Sequence, residues 1–400
     1  MAQRLCELLQ DLGKDLVAQP GYILGVSDHW FDAAKCNLDD LIALCAQRAL
    51  IDDFPRASAI EQDTVVYDSR SLRNEIATPE GRDSAMAELA DALLGGPGIV
   101  VFRDAFDCDV VEAVSDVFDK IIIDERERGV GGGDHFARPG DNDRVWNALE
   151  KLAIREPELF VRYYDNDMLA LVSHAWLGPG YQVTSQVNVV NPGCPQQQPH
   201  RDYHLGFMPD DRAAAYPAHV HLLSPMLTLQ GAVAHCDMPV ETGPTMYLPH
   251  SQKYGPGYVA WRRPEFKRYF ADHHVQLELS VGDAVFFSPA LFHAAGTNRT
   301  GDVRRMANLL QISSALGRAM ESVDRTAMVL ALYPVLLDAD MNADAVSRVL
   351  AASAEGYPFP GDLDRNRPEG ESADQSPTDI TLRALREHWP ADELASRLAR

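Results

Sequence analysis

The stretch from Gln196 to Phe207, QQQPHRDYHLGF, places a histidine and an aspartate one residue apart. If this stretch is a β-strand, its side chains alternate between two faces, so His200 and Asp202 project from one face and Arg201 from the other. An imidazole and a carboxylate side by side are two of the ligands of a 2-His-1-carboxylate metal site. The pattern therefore predicts a metal centre, completed by a third ligand from a later strand.

His293, in the downstream segment FFSPALFHAAG, is the best candidate for that third ligand. Two histidines and one carboxylate hold a non-haem Fe(II) on one face and leave the opposite positions open for substrate and oxygen. His200, Asp202 and His293 are therefore the predicted metal ligands.

The segment after His293, AAGTNRTGDVRR, contains turn-forming residues and predicts a hairpin. In the expected register, Arg304 lies opposite Ala295 and shares a face with His293. A guanidinium there would bind a carboxylate through two parallel hydrogen bonds, as a dicarboxylate cosubstrate requires. A shift of one residue in the register would give this place to Arg305.

These residues resemble the Fe(II)/2-oxoglutarate oxygenases of the phytanoyl-CoA dioxygenase type. The resemblance rests on His200-Arg201-Asp202, the Gly-Pro-Thr turn at 243–245, His293 and Arg304, and it covers about residues 95 to 315. It implies a mixed α and β protein with a double-stranded β-helix core, a jelly-roll or cupin-like fold with flanking helices. It also implies that the triad is the catalytic Fe(II) site and that 2-oxoglutarate places its far carboxylate on Arg304.

The same resemblance implies a reaction. O2 and 2-oxoglutarate are consumed, succinate and CO2 are released, and an unactivated C–H bond of a small molecule is hydroxylated or otherwise oxidised. A natural product or an amino-acid-like compound is the expected substrate. Two alternatives stay open: a cupin-type metalloenzyme that does not use 2-oxoglutarate, and a non-catalytic jelly-roll binding protein.

A second His-x-Asp pattern, His235-Cys236-Asp237, also precedes His293 and is an alternative source of two ligands. It runs directly into the Gly-Pro turn, where proteins of the family have a loop. The first pattern also has the better distance to His293. His200 and Asp202 are therefore preferred.

The segment YQVTSQVNVVN, residues 181–191, alternates polar and apolar residues and predicts a strand with one polar face. If the polar row faces a barrel interior, Gln186 and Asn188 are candidates for binding the cosubstrate or the substrate. A strand with a solvent-facing row would show the same pattern.

Further substrate-binding candidates lie on either side of this strand. Tyr203 and His204 follow Asp202, and His204 would share its face, although a lone histidine is more often a core residue. The glycine-rich segment 129–135 predicts a mobile flap near the active site. His135 on this flap is a candidate for contact with substrate, or else an exposed loop residue.

The chain is expected to have three regions. Residues 1–95 are predicted to form a helical N-terminal extension, residues 96–315 the oxygenase core, and residues 316–400 a helical C-terminal region. Residues 355–377 are rich in proline, glycine and acids and predict a polar loop, after which Ser376 caps the last helix. The terminal helices would pack against the core or in a homodimer.

Composition restricts the partners and the compartment. A formal net charge of −23 and the absence of a basic patch argue against nucleic-acid binding. The 6 cysteines form no CxxC pair, which favours a reduced, cytoplasmic protein. The N-terminal stretch has acids among its leucines, so no signal peptide is expected, and no apolar run approaches the roughly 20 residues of a membrane span.

Overall fold

The computed structural model describes residues 29–130, 132–133, 140–358 and 375–399. The leucine-rich helix predicted before residue 20, His135 on the predicted flap, and most of the predicted polar loop at 355–377 lie outside these residues.

Two β-sheets organise the described chain. The strands are β1 (Ala59–Glu61), β2 (Thr64–Asp68), β3 (Ile99–Arg103), β4 (Asn142–Val145), β5 (Gln182–Val190), β6 (Thr228–Ala234), β7 (Met246–Leu248), β8 (Val275–Gln276), β9 (Ala284–Phe287), β10 (Phe292–Ala294) and β11 (Arg305–Ser313). The main sheet has 8 strands in the order β1-β2-β3-β9-β6-β11-β5-β4, and the second sheet has the order β10-β7-β8. Among the described strands, β2 and β3 pair in parallel, and the other pairs are antiparallel.

Helices surround the sheets. They are α1 (Leu38–Cys45), α2 (Ser69–Glu75), α3 (Pro79–Leu94), α4 (Cys108–Glu127), α5 (Ala148–Arg155), α6 (Pro157–Tyr164), α7 (Asp167–Leu177), α8 (Asp210–Ala214), α9 (Ala218–Leu223), α10 (Gly257–Ala260), α11 (Pro264–His273), α12 (Arg325–Asp338), α13 (Ala343–Ser353), α14 (Pro377–Glu387) and α15 (Ala391–Leu398). The predicted cap at Ser376 is confirmed, since its side chain and that of Asp379 form a reciprocal capping box.

The main sheet has an outer face that packs on helices and an inner face that looks toward the second sheet. On β11, Met306 and Leu310 belong to a large core cluster that includes helix α4. Ala307 on the same strand belongs to another cluster, with Tyr247 of β7. Because side chains alternate along a strand, consecutive residues of β11 pack into two different core clusters, one on each face of the sheet.

The N-terminal region contributes to the main sheet. Only helices were predicted before residue 95, yet β1 and β2 form there, and β2 pairs with β3 at the start of the core. The run Val65-Val66-Tyr67 explains this, because β-branched and aromatic residues favour strands and all three are buried. The mixed α and β fold with a large sheet is confirmed.

No helix among the described residues is long and apolar enough to cross a membrane. The described cysteines, Cys36, Cys45, Cys108, Cys194 and Cys236, are all free thiols.

Candidate metal centre

The structure brings His200, Asp202 and His293 together between the two sheets. One ligand atom from each residue can be chosen so that all lie within 4.8 Å of one another. Nε2 of His200 is 3.4 Å from Oδ1 of Asp202, and Nε2 of His293 is 3.4 Å from Oδ2. Two imidazole nitrogens and a carboxylate so arranged can chelate one metal ion.

A short backbone bridge places the two histidines. The amide of His200 donates to the carbonyl of His293 at 2.9 Å, and the reverse bond is 3.1 Å long. The rest of the stretch from Gln196 to Phe207 is not a regular strand: Pro199 has no N–H to donate, and residues 204–207 form a 3-10 helix. The prediction of a full strand there is wrong, but the bridge juxtaposes the imidazoles, with backbone hydrogen bonds from Gln197 to Ala295 and from Asp202 to Pro289 on either side of it.

Both imidazoles are held in the same way. Nδ1 of His200 is 2.9 Å from the carbonyl of Gln198, and Nδ1 of His293 is 2.9 Å from the carbonyl of Leu291. A carbonyl can only accept, so each Nδ1 carries the proton and each Nε2 keeps its lone pair for a metal.

Gln230 of β6 holds the carboxylate. Its Nε2 donates to Oδ2 of Asp202. Burial alone would raise the pKa of Asp202, but the neighbouring imidazoles of His200 and His293 outweigh it and hold the pKa well below its usual range. The bond from Gln230 lowers it further. Gln230 was not predicted, although an amide within the apolar run LQGAVA was a usable signal.

The side chain of Arg201 points away from the candidate ligands, as predicted. It forms hydrogen bonds that hold the backbone of the segment carrying His200 and Asp202. Its Nη2 donates to the carbonyls of Ser251 at 2.6 Å and Tyr254 at 2.9 Å. The hydroxyl of Ser251 accepts from the amide of Phe292 at 2.8 Å. The turn from Ser251 to Tyr254 therefore contacts residues adjacent to all the candidate ligands.

Arg304 does not reach the candidate metal centre. Its guanidinium pairs with Asp119 at 3.3 Å, and its side chain is 44% exposed. The predicted hairpin is wrong: β10 pairs with β7, whereas β11 pairs with β5 and β6. The register that placed Arg304 opposite Ala295 therefore has no basis in the structure.

Arg305 takes the inner position. It is the first residue of β11, is only 5% exposed, and pairs with Val190 of β5. Its Nε has no hydrogen-bond partner, and no carboxylate within the described ranges forms an ion pair with it. Burial lowers the pKa of Arg305. A buried guanidinium in this state is suited to an anionic ligand.

Arg305 lines a cavity between the two sheets. Apolar side chains line most of it, including Ala232, Val285 and Leu309. Tyr247 also lines it and pairs with His293 across β7 and β10, so the cavity adjoins the metal candidates.

The polar row of β5 faces inward, and its apolar row faces the helices. Gln186 pairs with Leu309 and Asn188 with Ala307, residues of the inner face of β11. Gln186 also donates to Oε1 of Gln311 at 3.5 Å, the outer limit of a hydrogen bond. The alternation predicted for residues 181–191 is confirmed.

Tyr203 and His204 follow Asp202 in unusual backbone conformations. Their φ angles are 59° and 36°, and Tyr203 is 1% exposed. Nδ1 of His204 lies 3.0 Å from the hydroxyl of Ser224, and burial lowers the pKa of this histidine. His204 is not grouped with the three candidate ligands.

The second His-x-Asp pattern serves the helical core. Nδ1 of His235 is 2.8 Å from the Ser115 hydroxyl, and Nε2 is 2.9 Å from the Tyr163 hydroxyl. Burial lowers the pKa of His235 to about 3, so it is neutral at physiological pH. Asp237 accepts from the amide of Val281 at 3.1 Å. Neither residue joins the triad.

The fold and the site define a mixed α and β protein with a candidate mononuclear metal centre between two sheets. The family model for phytanoyl-CoA dioxygenase (PhyH) matches residues 94–306. The chain belongs to this family of Fe(II)/2-oxoglutarate-dependent oxygenases, as its motifs predicted.

Individual relatives are more distant. A dioxygenase, trt7 of Aspergillus terreus, is 31% identical over 121 residues, which cover 30% of this chain and 37% of that protein. Among solved structures, apo EctD from S. alaskensis is 18% identical, covering 58% of this chain and 78% of EctD with a TM-score of 0.43. The carbocyclase SnoK from nogalamycin biosynthesis is 20% identical, covering 55% and 80% with a TM-score of 0.37.

Proposed function

We propose that this protein is an Fe(II)- and 2-oxoglutarate-dependent oxygenase that hydroxylates a small molecule. The convergence of His200, Asp202 and His293, with both Nε2 atoms 3.4 Å from the Asp202 carboxylate, carries this proposal. We further propose that the two sheets form a double-stranded β-helix, with the metal centre between them.

The donor atoms fit iron. Imidazole and carboxylate ligands on one face of the ion suit non-haem Fe(II) and leave positions for 2-oxoglutarate and O2. When bound, the iron supplies the oxidative cleavage of 2-oxoglutarate to succinate and CO2 and the oxidation of a C–H bond. The protein's own contribution is to hold Nε2 of each histidine and the Asp202 carboxylate in place through Gln198, Leu291 and Gln230.

Arg305 is proposed to bind the far carboxylate of 2-oxoglutarate. It lies at the wall of the cavity that adjoins His293, and it is buried without an ion-pair partner in the described part of the chain. Arg304 is no longer proposed for this role, because Asp119 holds it on the surface.

The proposed substrate is a natural product or an amino-acid-like compound. Membership of the family supports an oxidation, and the amides on the inner face of β5 support a polar ligand. Gln186 and Asn188 are accordingly proposed to bind substrate or cosubstrate, and Tyr203 substrate.

The test measures succinate formed from 2-oxoglutarate by the full chain with Fe(II), as a function of 2-oxoglutarate concentration. Arg305→Ala should raise the KM for 2-oxoglutarate by about 10- to 100-fold, because a charge-assisted bidentate contact is lost. Arg304→Ala is the matched control and should leave KM unchanged. Fe(II) binding without any succinate formed from 2-oxoglutarate would indicate a cupin-type metalloenzyme instead, and a KM raised only by Arg304→Ala would reverse the assignment.

A further inference from the structure

The inner face of the main sheet has an apolar part and a polar part. The cavity next to Arg305 is lined mostly by apolar side chains of β3, β6, β9 and β11. On the inner face of β5 and at the far ends of β6 and β11 stand amides instead: Gln186, Asn188, Gln230 and Gln311, each less than a tenth exposed. This polar part includes Gln230, which holds the candidate ligand Asp202.

Glu321 adds a carboxylate to this polar part. It lies between β11 and α12, and its Oε1 accepts from the amide of Asn147 at 3.0 Å. The side chain of Gln186 also interacts with this carboxylate. Burial raises the pKa of Glu321. Its second oxygen, Oε2, is buried and has no hydrogen-bond partner in the structure.

Further buried atoms here lack partners. They are Oδ1 of Asn188, Oε1 of Gln230 and the hydroxyl of Tyr203. Buried polar groups are nearly always paired in a working protein, so several such atoms in one region are a place where a polar ligand or ordered water can bind. The orientation of the Gln230 amide follows from its bond to Asp202, since only its nitrogen can donate to a carboxylate.

The unpaired atoms are mostly acceptors. The oxygens of Asn188, Gln230 and Glu321 can only accept hydrogen bonds, whereas the Tyr203 hydroxyl can do either. A ligand that satisfies this set must present donors. A ligand offering only ether oxygens would leave these three oxygens unpaired.

The hydroxyl of Tyr203 lies near both Asp202 and Glu321. Burial raises the pKa of its hydroxyl well above the usual value, and the nearby charges of Asp202 and Glu321 raise it further. Its backbone, with φ 59° and ψ 149°, lies in a region that is costly for any residue with a side chain. Such conformations persist mainly at functional sites, where the surrounding structure enforces them.

We propose that Gln186, Asn188, Tyr203, Gln230 and Glu321, together called the polar chamber, bind the substrate. The substrate class is a small molecule that presents hydroxyl or amino groups, one of which donates to Oε2 of Glu321. This inference rests on the proposed function, because it places the C–H bond to be oxidised beside the metal held by Asp202.

The test measures the binding of small fragments to the full chain by ligand-detected NMR, with Zn(II) in place of Fe(II) and with 2-oxoglutarate present. Each carbon skeleton is supplied as an alcohol, a primary amine and a methyl ether. The alcohol or the amine should bind about tenfold more tightly than the ether, because only they can donate to the chamber. Comparison of the alcohol with the amine identifies which of these donors the polar chamber prefers.

Two variants test whether Glu321 contributes to this preference for donors. Glu321→Gln replaces the accepting oxygen by an NH2 group of the same size and should weaken the preference, while the oxygens of Asn188 and Gln230 remain as acceptors. Glu150→Gln is the matched control, because Glu150 also accepts a backbone amide, that of Asp324 at 2.9 Å, but in an exposed position. It should leave the preference intact.

Three results would overturn the inference: ethers that bind as tightly as alcohols and amines, a preference that Glu321→Gln leaves undiminished, or no fragment binding at millimolar concentration, which would leave only water in the chamber. Failure of the proposed function is distinguishable from these results. It would appear as 2-oxoglutarate-independent turnover or no iron binding, while a donor preference weakened by Glu321→Gln would still establish the chamber as a binding site.

Discussion

Two backbone carbonyls, those of Gln198 and Leu291, set the tautomer of the imidazoles in the candidate metal centre. Each lies two residues before the histidine that it contacts, at 2.9 Å in both cases. Because both contacts are made within the local segment, the metal-binding nitrogens are oriented before any ion arrives. Because the same contact orients both imidazoles, both histidines can present Nε2 to a single ion.

The amide of Gln230 is the corresponding support for the carboxylate. Gln230→Leu keeps the size of the side chain but removes the donor to Oδ2 of Asp202. We expect Fe(II) affinity to fall about tenfold, as is common when a group that orients a ligand is lost. Anaerobic competition with a coloured chelator measures this affinity.

Gln311→Leu is the control for this change. Gln311 pairs with Gln230 across β11 and β6 and is equally buried, but its side chain contacts Gln186 rather than Asp202. Its Fe(II) affinity should match that of the unaltered protein. Equal affinities for all three proteins would show that the contact to Asp202 does not support the metal site.

At the scale of elements, the turn from Ser251 to Tyr254 joins the segments that carry the candidate ligands. Arg201 reaches it from between His200 and Asp202, and Phe292, the neighbour of His293, donates to Ser251. The guanidinium of Arg201 also lies over the Tyr258 ring at 5.1 Å. This buried arrangement holds the backbone of both segments from behind the site.

Gly257 makes room for that guanidinium. A Cβ at residue 257 would lie 1.9 Å from Cζ of Arg201, whereas one at Gly301 would meet nothing within 4 Å. Gly257→Ala should therefore displace Arg201 and weaken Fe(II) binding about tenfold, by disturbing the support of the ligands. Titration at a temperature where the variant is folded by circular dichroism measures this.

Gly301→Ala is the control for the added methyl group and should bind Fe(II) normally. A folded Gly257→Ala protein with unchanged Fe(II) affinity would contradict the role given to Arg201 and the turn.

Sequence periodicity predicted those elements whose faces differ in polarity, and it failed where pairing is irregular. The two faces of β5 were predicted correctly because its valines and its amides alternate. The position of Arg304 was wrong because residues 295–304 pair with neither strand as a hairpin, so no register could be counted through them. Gln230 was missed because a single amide in an apolar strand has no periodicity, and its only signal is its isolated polarity within the run LQGAVA.

At the scale of the whole molecule, ligand types and spacing predicted which distant residues would meet. His200, Asp202 and His293 converge even though the expected strand around His200 is reduced to one bridge. What could not be predicted is the assembly around them, because Glu321 and the segment from Tyr247 to Ser251 come from separate parts of the chain. Their proximity depends on the packing of two sheets, which no local pattern encodes.

The charge of the molecule fits a small ligand better than a polyanion. With a formal net charge of −23, the chain repels highly anionic partners at long range. Arg305 in its cavity is buried away from this surface charge, so a dicarboxylate would be bound locally rather than attracted from a distance.

We predict that His200, Asp202 and His293 bind Fe(II) together with 2-oxoglutarate. The most direct measurement is an anaerobic titration of the apo-protein with Fe(II) and 2-oxoglutarate, monitored by the weak visible charge-transfer band of the chelate. The band should form in the unaltered protein and in Asp237→Ala, and should be lost or shifted in Asp202→Ala. A band that is absent from the unaltered protein, or that persists unchanged in Asp202→Ala, would contradict this account.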